Sequence, residues 1–79
     1  MTRYLITGGT GSLGKALIQR LLQDPENEII VFSRDEGKQA LTFGKYPDII
    51  RIIGDIRDFD KLNVTMSRHR PHIVIHTAA

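Results

Sequence analysis

An α/β fold with an open parallel sheet of four strands and three helices is predicted from three observations. Short apolar runs alternate with helix-spaced patterns along the whole chain of 79 residues. One run, Ile29-Ile30-Val31-Phe32, is continuous rather than alternating, as in a parallel strand covered on both faces. A glycine-rich turn, Thr7 to Gly14 (TGGTGSLG), leads from the first apolar run into the first helical pattern.

The elements follow in order. Arg3–Thr7, built on Tyr4-Leu5-Ile6, is a strand. Ser12–Gln23 is a helix, with Leu13, Leu17 and Leu21 beside Ile18 and Leu22 at spacings of four, and Pro25 just beyond as a stop. Glu28–Ser33 is the second strand. Asp35 caps a short second helix that ends near Gly44, before Pro47. Ile49–Ile53 is the third strand, and Arg51 in its middle places it at an edge, where a charge reaches water. Asp58 caps a third helix carrying Phe59, Leu62 and Met66, and Pro71 follows its end. His72–His76 is the fourth strand. Right-handed crossovers then give strand order 3-2-1-4, with helices 1 and 2 on one face and helix 3 on the other. This is a half Rossmann fold, the first half plus one strand, expected to occupy residues 1–79 as one truncated domain.

Size and composition bound the function. A chain of this length buries only about 60–65% of its unfolded surface, so the fold is expected to be marginal without support. Hydrophobic residues make up 41% and charged residues 25%, the balance of an ordinary globular protein. The absence of cysteine excludes a disulfide framework and thiolate zinc sites, and agrees with a cytoplasmic location. The apolar runs are far short of the roughly 20 residues a membrane helix needs, and no signal peptide is visible. The net charge of +2 is mild. Arg68, His69 and Arg70 are placed in the last turn of helix 3, where cations favour the dipole, and no interleaved aromatics offer a stacking platform. No nucleic-acid partner is expected.

Gly9, Gly11 and Gly14 fit G-x-G-x-x-G between a strand and a helix, the dinucleotide-binding pattern. One glycine allows a tight turn, one lets backbone approach a pyrophosphate, and Gly14 lets helix and strand pack closely. The phosphates sit where free N–H groups and the positive end of the helix dipole converge. A rival exists: Gly9 to Ala16 (GTGSLGKA) is one residue from a P-loop, but Ala16 lacks the hydroxyl that holds Mg²⁺.

The end of strand 2 selects the cofactor. NAD-binding chains usually carry Asp or Glu there, to accept from the ribose 2′-hydroxyl. Here the strand ends Phe32-Ser33-Arg34. Ser33 donates to a 2′-phosphate, Arg34 makes a forked charge-assisted contact, and Lys38 adds a second cation. Asp35 is occupied as a helix cap, so NADP is favoured over NAD. After strand 3, Asp55 is placed to accept from the adenine amino group while Ile56 covers the ring; Asp58 is a capping residue. At the end of strand 4, Thr77, Ala78 and Ala79 are small enough for the cofactor to lie against the backbone. His76, without a partner carboxylate, reads as structural.

TGGTGSLG, FSRDEGKQ, GDIRD and HTAA, in this order and spacing, resemble the N-terminal part of extended short-chain dehydrogenases/reductases. The Ser33–Gln39 segment resembles more narrowly the NADP-dependent nucleotide-sugar 4,6-dehydratases of the polysaccharide-biosynthesis group, of the UDP-N-acetylglucosamine type. The resemblance implies that Gly8, Thr10, Gly11, Ser12 and Leu13 contact pyrophosphate and ribose, with Gly14 packing the helix. It implies that Ser33, Arg34 and Lys38 hold the 2′-phosphate, that Asp55 and Ile56 flank the adenine, and that Ala78 and Ala79 face the central ribose. Such enzymes oxidise the sugar at C4, eliminate water across C5–C6 and return the hydride to C6, using a Tyr-x-x-x-Lys pair. Neither tyrosine here fits: Tyr4 has Gly8 four residues on, and Tyr46 has Ile50. The chain is therefore expected to bind NADP(H) without turnover of its own. A non-catalytic binding or assembly module and a degenerate P-loop nucleotide binder are the alternatives. Finally, Ile73-Val74-Ile75 forms an apolar edge strand, for which pairing into a homodimer or larger assembly is expected.

Overall fold

The computed structural model describes residues 1–77. Its elements are β1 (Thr2–Thr7), α1 (Ser12–Leu21), β2 (Asn27–Ser33), α2 (Glu36–Phe43), β3 (Ile50–Ile53), α3 (Phe59–His69) and β4 (Ile73–His76). All pairings are parallel, and the sheet runs β3-β2-β1-β4, the expected order.

Alternation along each strand divides the core into two layers. Ile6, Ile29 and Val31 face α1 and α2, where they meet Ile18 and Phe43, with Ile49 beside them. Leu5, Ile30 and Phe32 face the opposite side, with Ile50, Ile52, Ile56 and Leu62 of α3 against them. β2 is thus covered on both faces, which its unbroken apolar run required. Arg51 is exposed on the edge strand β3.

Several boundaries shift for local reasons. The first helix stops at Leu21 rather than Gln23, because Asn27 Nδ2 donates to the Leu21 carbonyl at 2.9 Å and the chain turns through Asp24. Of its leucines, Leu13 projects to solvent instead of joining the core. β3 begins at Ile50 because the Ile49 amide donates to Tyr46 in a turn. β4 begins at Ile73; His72 precedes it, its amide bonded to the Arg3 carbonyl and its Nδ1 accepting from the Arg3 amide, both at 2.8 Å.

The N-terminal end of the sheet carries a polar clamp that sequence spacing did not suggest. The Arg3 guanidinium donates to Glu28 Oε1 at 3.1 Å and to the carbonyls of His69 and Arg70 at 2.9 and 3.2 Å. Those carbonyls end α3, where Arg70 takes a left-handed conformation with φ 48°. At the opposite end, Thr77 donates from both N and Oγ1 to the Thr7 carbonyl, and Thr7 Oγ1 bonds His76 Nδ1. His76 is therefore tied into the β1–β4 seam.

Candidate functional site

At the carboxyl ends of β1, β2 and β3 the loops enclose a cleft of about 720 Å³. Such crevices are where open α/β sheets bind ligands. Gly8, Thr10, Ser33, Arg34, Lys38, Asp55 and Ile56 all line it, so seven of the residues singled out from sequence converge.

The glycine loop divides its tasks differently from the simple pattern. The tight turn is made by Gly8, with φ 72°, and not by one of the three pattern glycines. Its amide donates to the Phe32 carbonyl at 3.0 Å, binding the loop to β2, and its carbonyl accepts from Gly11 at 3.3 Å. Gly9 is a packing residue: a Cβ there would lie 3.0 Å from Ile18 Cδ1 and 3.2 Å from Val31 Cγ1. Gly14 presses α1 onto the loop, since a Cβ would meet Gly9 Cα at 2.6 Å. At Gly11 the missing side chain leaves open space, the nearest atom to a Cβ being Gly8 O at 3.9 Å.

The helix start beside that space is bare. Gly11 is the N-cap of α1, offers no side-chain cap, and no acidic residue occupies the first turn. By contrast, α2 and α3 are each closed by an aspartate: Asp35 Oδ1 accepts from Lys38 N at 2.9 Å, and Asp58 Oδ1 accepts from Lys61 N at 3.1 Å. The first N–H groups of α1, with the dipole behind them, therefore lie open to an anionic ligand group beside the Gly11 gap. Ser12 and Leu13 are exposed at this helix start.

Charges in the cleft are sorted by these contacts. Asp35 is engaged as a cap. Asp55 is engaged by Arg57, whose Nε and Nη2 approach its oxygens at 3.1 and 2.8 Å and whose amide donates at 2.9 Å. These Arg57 hydrogen bonds, and to a lesser degree the charges of Arg57 and Arg34, hold the Asp55 carboxyl down at about 2. The Asp55–Arg57 pair forms a wall of the cleft, with the Asp55 side chain still partly exposed to it. Ile56 packs against the Leu5, Ile30 and Phe32 layer and supplies an apolar floor. Arg34 is exposed and lies 3.9 Å from Asp55, and Lys38 lines the cleft from α2.

Ser33 is buried at the mouth of this basic rim, and its Oγ accepts from Gln39 Nε2 at 2.6 Å. Gln39, buried on α2, was not among the residues chosen from sequence. The available signal was a polar residue four positions before Phe43, on the face of α2 that meets the sheet. Lys15, which a P-loop would turn onto phosphates, lies instead along the neighbouring α1–α2 groove with Lys45 and Tyr46. The contacts expected of Ala78 and Ala79 lie outside the described residues. Among the described residues there is no metal-binding cluster, and no helix is long and apolar enough to cross a membrane.

Comparison with known proteins agrees with this geometry. The family model described as polysaccharide biosynthesis protein matches residues 4–79. The chain is 46% identical over 79 residues to a UDP-N-acetylglucosamine 4,6-dehydratase (inverting) of Campylobacter jejuni, covering 95% of this chain and 23% of that protein. It is 39% identical over 82 residues to a UDP-glucose 4-epimerase of Rickettsia massiliae, with the same shares. Among solved structures it superposes on the Bordetella bronchiseptica enzyme WbmG, crystallised in complex with NAD, with a TM-score of 0.85 and 31% identity, covering 98% of this chain and 24% of that one. The chain thus spans about a quarter of the length of these relatives. With the glycine loop, the strand order and the matched span in agreement, this chain belongs to the polysaccharide biosynthesis protein family.

Proposed function

We propose that these residues form the NADP(H)-binding portion of a nucleotide-sugar 4,6-dehydratase or epimerase-like enzyme. The observation that carries this reading is the rim at the end of β2. Ser33, Arg34 and Lys38 share one cleft; of the carboxylates that line it with them, Asp35 and Asp55 are committed to a helix cap and to Arg57, and Glu36 stands in the first turn of α2. A 2′-phosphate needs cations and hydroxyl donors and is repelled by a free carboxylate. The fit of the remaining cofactor rests on the open space at Gly11 and the bare start of α1. Gly8, Thr10, Gly11, Ser12 and Leu13 would receive the pyrophosphate side, Ser33, Arg34 and Lys38 the 2′-phosphate, and Ile56 the adenine face. Ala78 and Ala79 would complete the ribose contacts.

Such a cofactor, when bound, supplies reversible hydride transfer. The chain's own contribution is orientation and charge. Helix N–H groups hold the phosphates, and the basic rim fixes the adenosine end. The proton-transfer pair of this chemistry is not supplied by Tyr4 or Tyr46, since Gly8 and Ile50 stand where a lysine would be needed. These residues accordingly bind without turning over sugar. Support for the nucleotide-sugar class comes from the dehydratase and epimerase relatives. Titration with NADPH, NADH and Mg-ATP tests the proposal. Saturable NADPH binding, tighter than NADH, is expected; Mg-dependent ATP binding alone would end it.

A further inference from the structure

Gln39 lies in the core with about 1% of its surface exposed, yet it is hydrophilic and its Oε1 is buried without a hydrogen-bond partner. An unpaired buried acceptor is costly, so an apolar side chain would serve packing alone better. The amide nitrogen explains its presence. Nε2 donates to Ser33 Oγ at 2.6 Å and to the Ile52 carbonyl at 3.0 Å, with the Ser33 carbonyl at 3.5 Å. Turning the amide over would set Oε1 against two carbonyl oxygens, so the nitrogen must face them. The polarity of the next link follows. A serine hydroxyl that accepts a hydrogen bond from Gln39 keeps its own proton for another partner. Ser33 lines the cleft between Phe32 and Arg34, so that partner is whatever occupies the rim.

We infer that Gln39 is a positioning residue that fixes Ser33 as a hydrogen-bond donor toward the cleft and thereby selects a fully ionised phosphate ester over a free ribose hydroxyl. This rests on the reading of the rim as a 2′-phosphate site, and deepens it. A phosphate oxygen only accepts, so a hydroxyl locked as donor matches it. A ribose hydroxyl both donates and accepts, and gains less from a serine oxygen that has one of its two lone pairs already taken by Gln39. Selection then comes from a residue that never touches the ligand, behind the two exposed cations.

The test uses the whole chain, with Gln39→Met and Ser33→Ala made singly and together, titrated with NADPH and NADH. Each single change should weaken NADPH about three- to tenfold, the scale of one hydrogen bond, and move NADH by less than about twofold on the same scale. The double variant should be no worse than Ser33→Ala. Equal losses for both dinucleotides, or losses that multiply in the double variant, would overturn the inference. A wild-type chain without preference for NADPH would remove the 2′-phosphate reading as well, whereas a preference unchanged by Gln39→Met removes only the role of Gln39. The Gln39 side-chain amide signals of the wild-type chain give a second readout that needs no variant. They should shift with NADPH and stay in place with NADH, and the same response to both overturns the inference.

Discussion

One methyl group placed at Gly14 and one at Gly11 should separate what holds the glycine loop together from what it receives. At Gly14 a Cβ would stand 2.6 Å from Gly9 Cα and 2.8 Å from Gly9 C and O. Carbon atoms in contact prefer about 3.5–4.0 Å, so roughly 1 Å of overlap has to be relieved. All three atoms are backbone and cannot rotate away; α1 must move off the loop. Overpacking of this kind costs about 1–3 kcal/mol, and exchanging glycine for alanine inside a helix returns up to about 1 kcal/mol. A net loss of about 1–2 kcal/mol lowers the melting temperature of so small a domain by roughly 5–15 °C. At Gly11 φ is −76° and the nearest atom is 3.9 Å away, so alanine fits and the melting temperature should stay within about 5 °C. The same methyl occupies the gap beside the open helix N–H groups, and NADPH affinity should fall by about tenfold or more, one lost charge-assisted contact. Thermal melting by circular dichroism and NADPH titration of both variants supply the data. A Gly14→Ala chain that melts with the wild type would refute the packing argument. A Gly11→Ala chain that binds NADPH undiminished would refute the cradle.

Three further outcomes are expected. Arg34→Ala should weaken NADPH about ten- to a hundredfold and barely change NADH, because a charge-assisted contact is worth about 1.5–3 kcal/mol; equal losses would make Arg34 a general loop residue. The Asp55 carboxyl should titrate near 2 in a carbon-detected NMR titration, and Arg57→Gln should return it toward the ordinary carboxylate range. Since the fold favours the charged form, the pair's contribution to stability is present above the ordinary carboxylate range and fades as pH falls toward 2, a decline the variant should lack. At the other edge, Ile73 and Val74 are 42% and 48% exposed on the outer strand β4. Light scattering at micromolar concentration should therefore show self-association that Val74→Lys abolishes, and a wild-type monomer would rule out edge pairing.

The fold was legible because its determinants are periodic and local. Ile29 to Phe32 can only serve a strand covered twice, and the two aspartates that begin α2 and α3 announce themselves by position. The cleft was legible for a related reason: parallel strands deliver the ends of β1, β2 and β3 to one edge, so residues just after each strand must meet. What escaped were contacts that spacing does not determine, because they depend on side-chain rotamer and on how the elements pack. That Asp55 is consumed by Arg57 is a matter of side-chain rotamer, and the Gln39 link to Ser33 depends on how α2 lies on the sheet. Gly8 was passed over as the turn residue because the pattern counts glycines by spacing, whereas backbone sign is decided by the exit angle of β1.

The arginine clamp at the opposite end of the sheet has a consequence for how the molecule breathes. Arg3 joins the start of β1 to Glu28 at the start of β2 and to the closing carbonyls of α3, across 66 and 67 residues of chain. It does so without any ligand. Among the described residues, the cleft end has no comparable tie between β2 and the glycine loop beyond the Gly8 amide on Phe32. Opening fluctuations should therefore be graded along the strand direction, with slow amide exchange around Arg3 and His72 and faster exchange at Gly8 to Ser12. A dinucleotide would quench only the fast end. The sheet is thus anchored by charge at one end and, at the other, by the Thr77 and His76 bonds to Thr7 in the β1–β4 seam, so occupancy of the cleft should alter rigidity in the glycine loop and leave both seams unchanged.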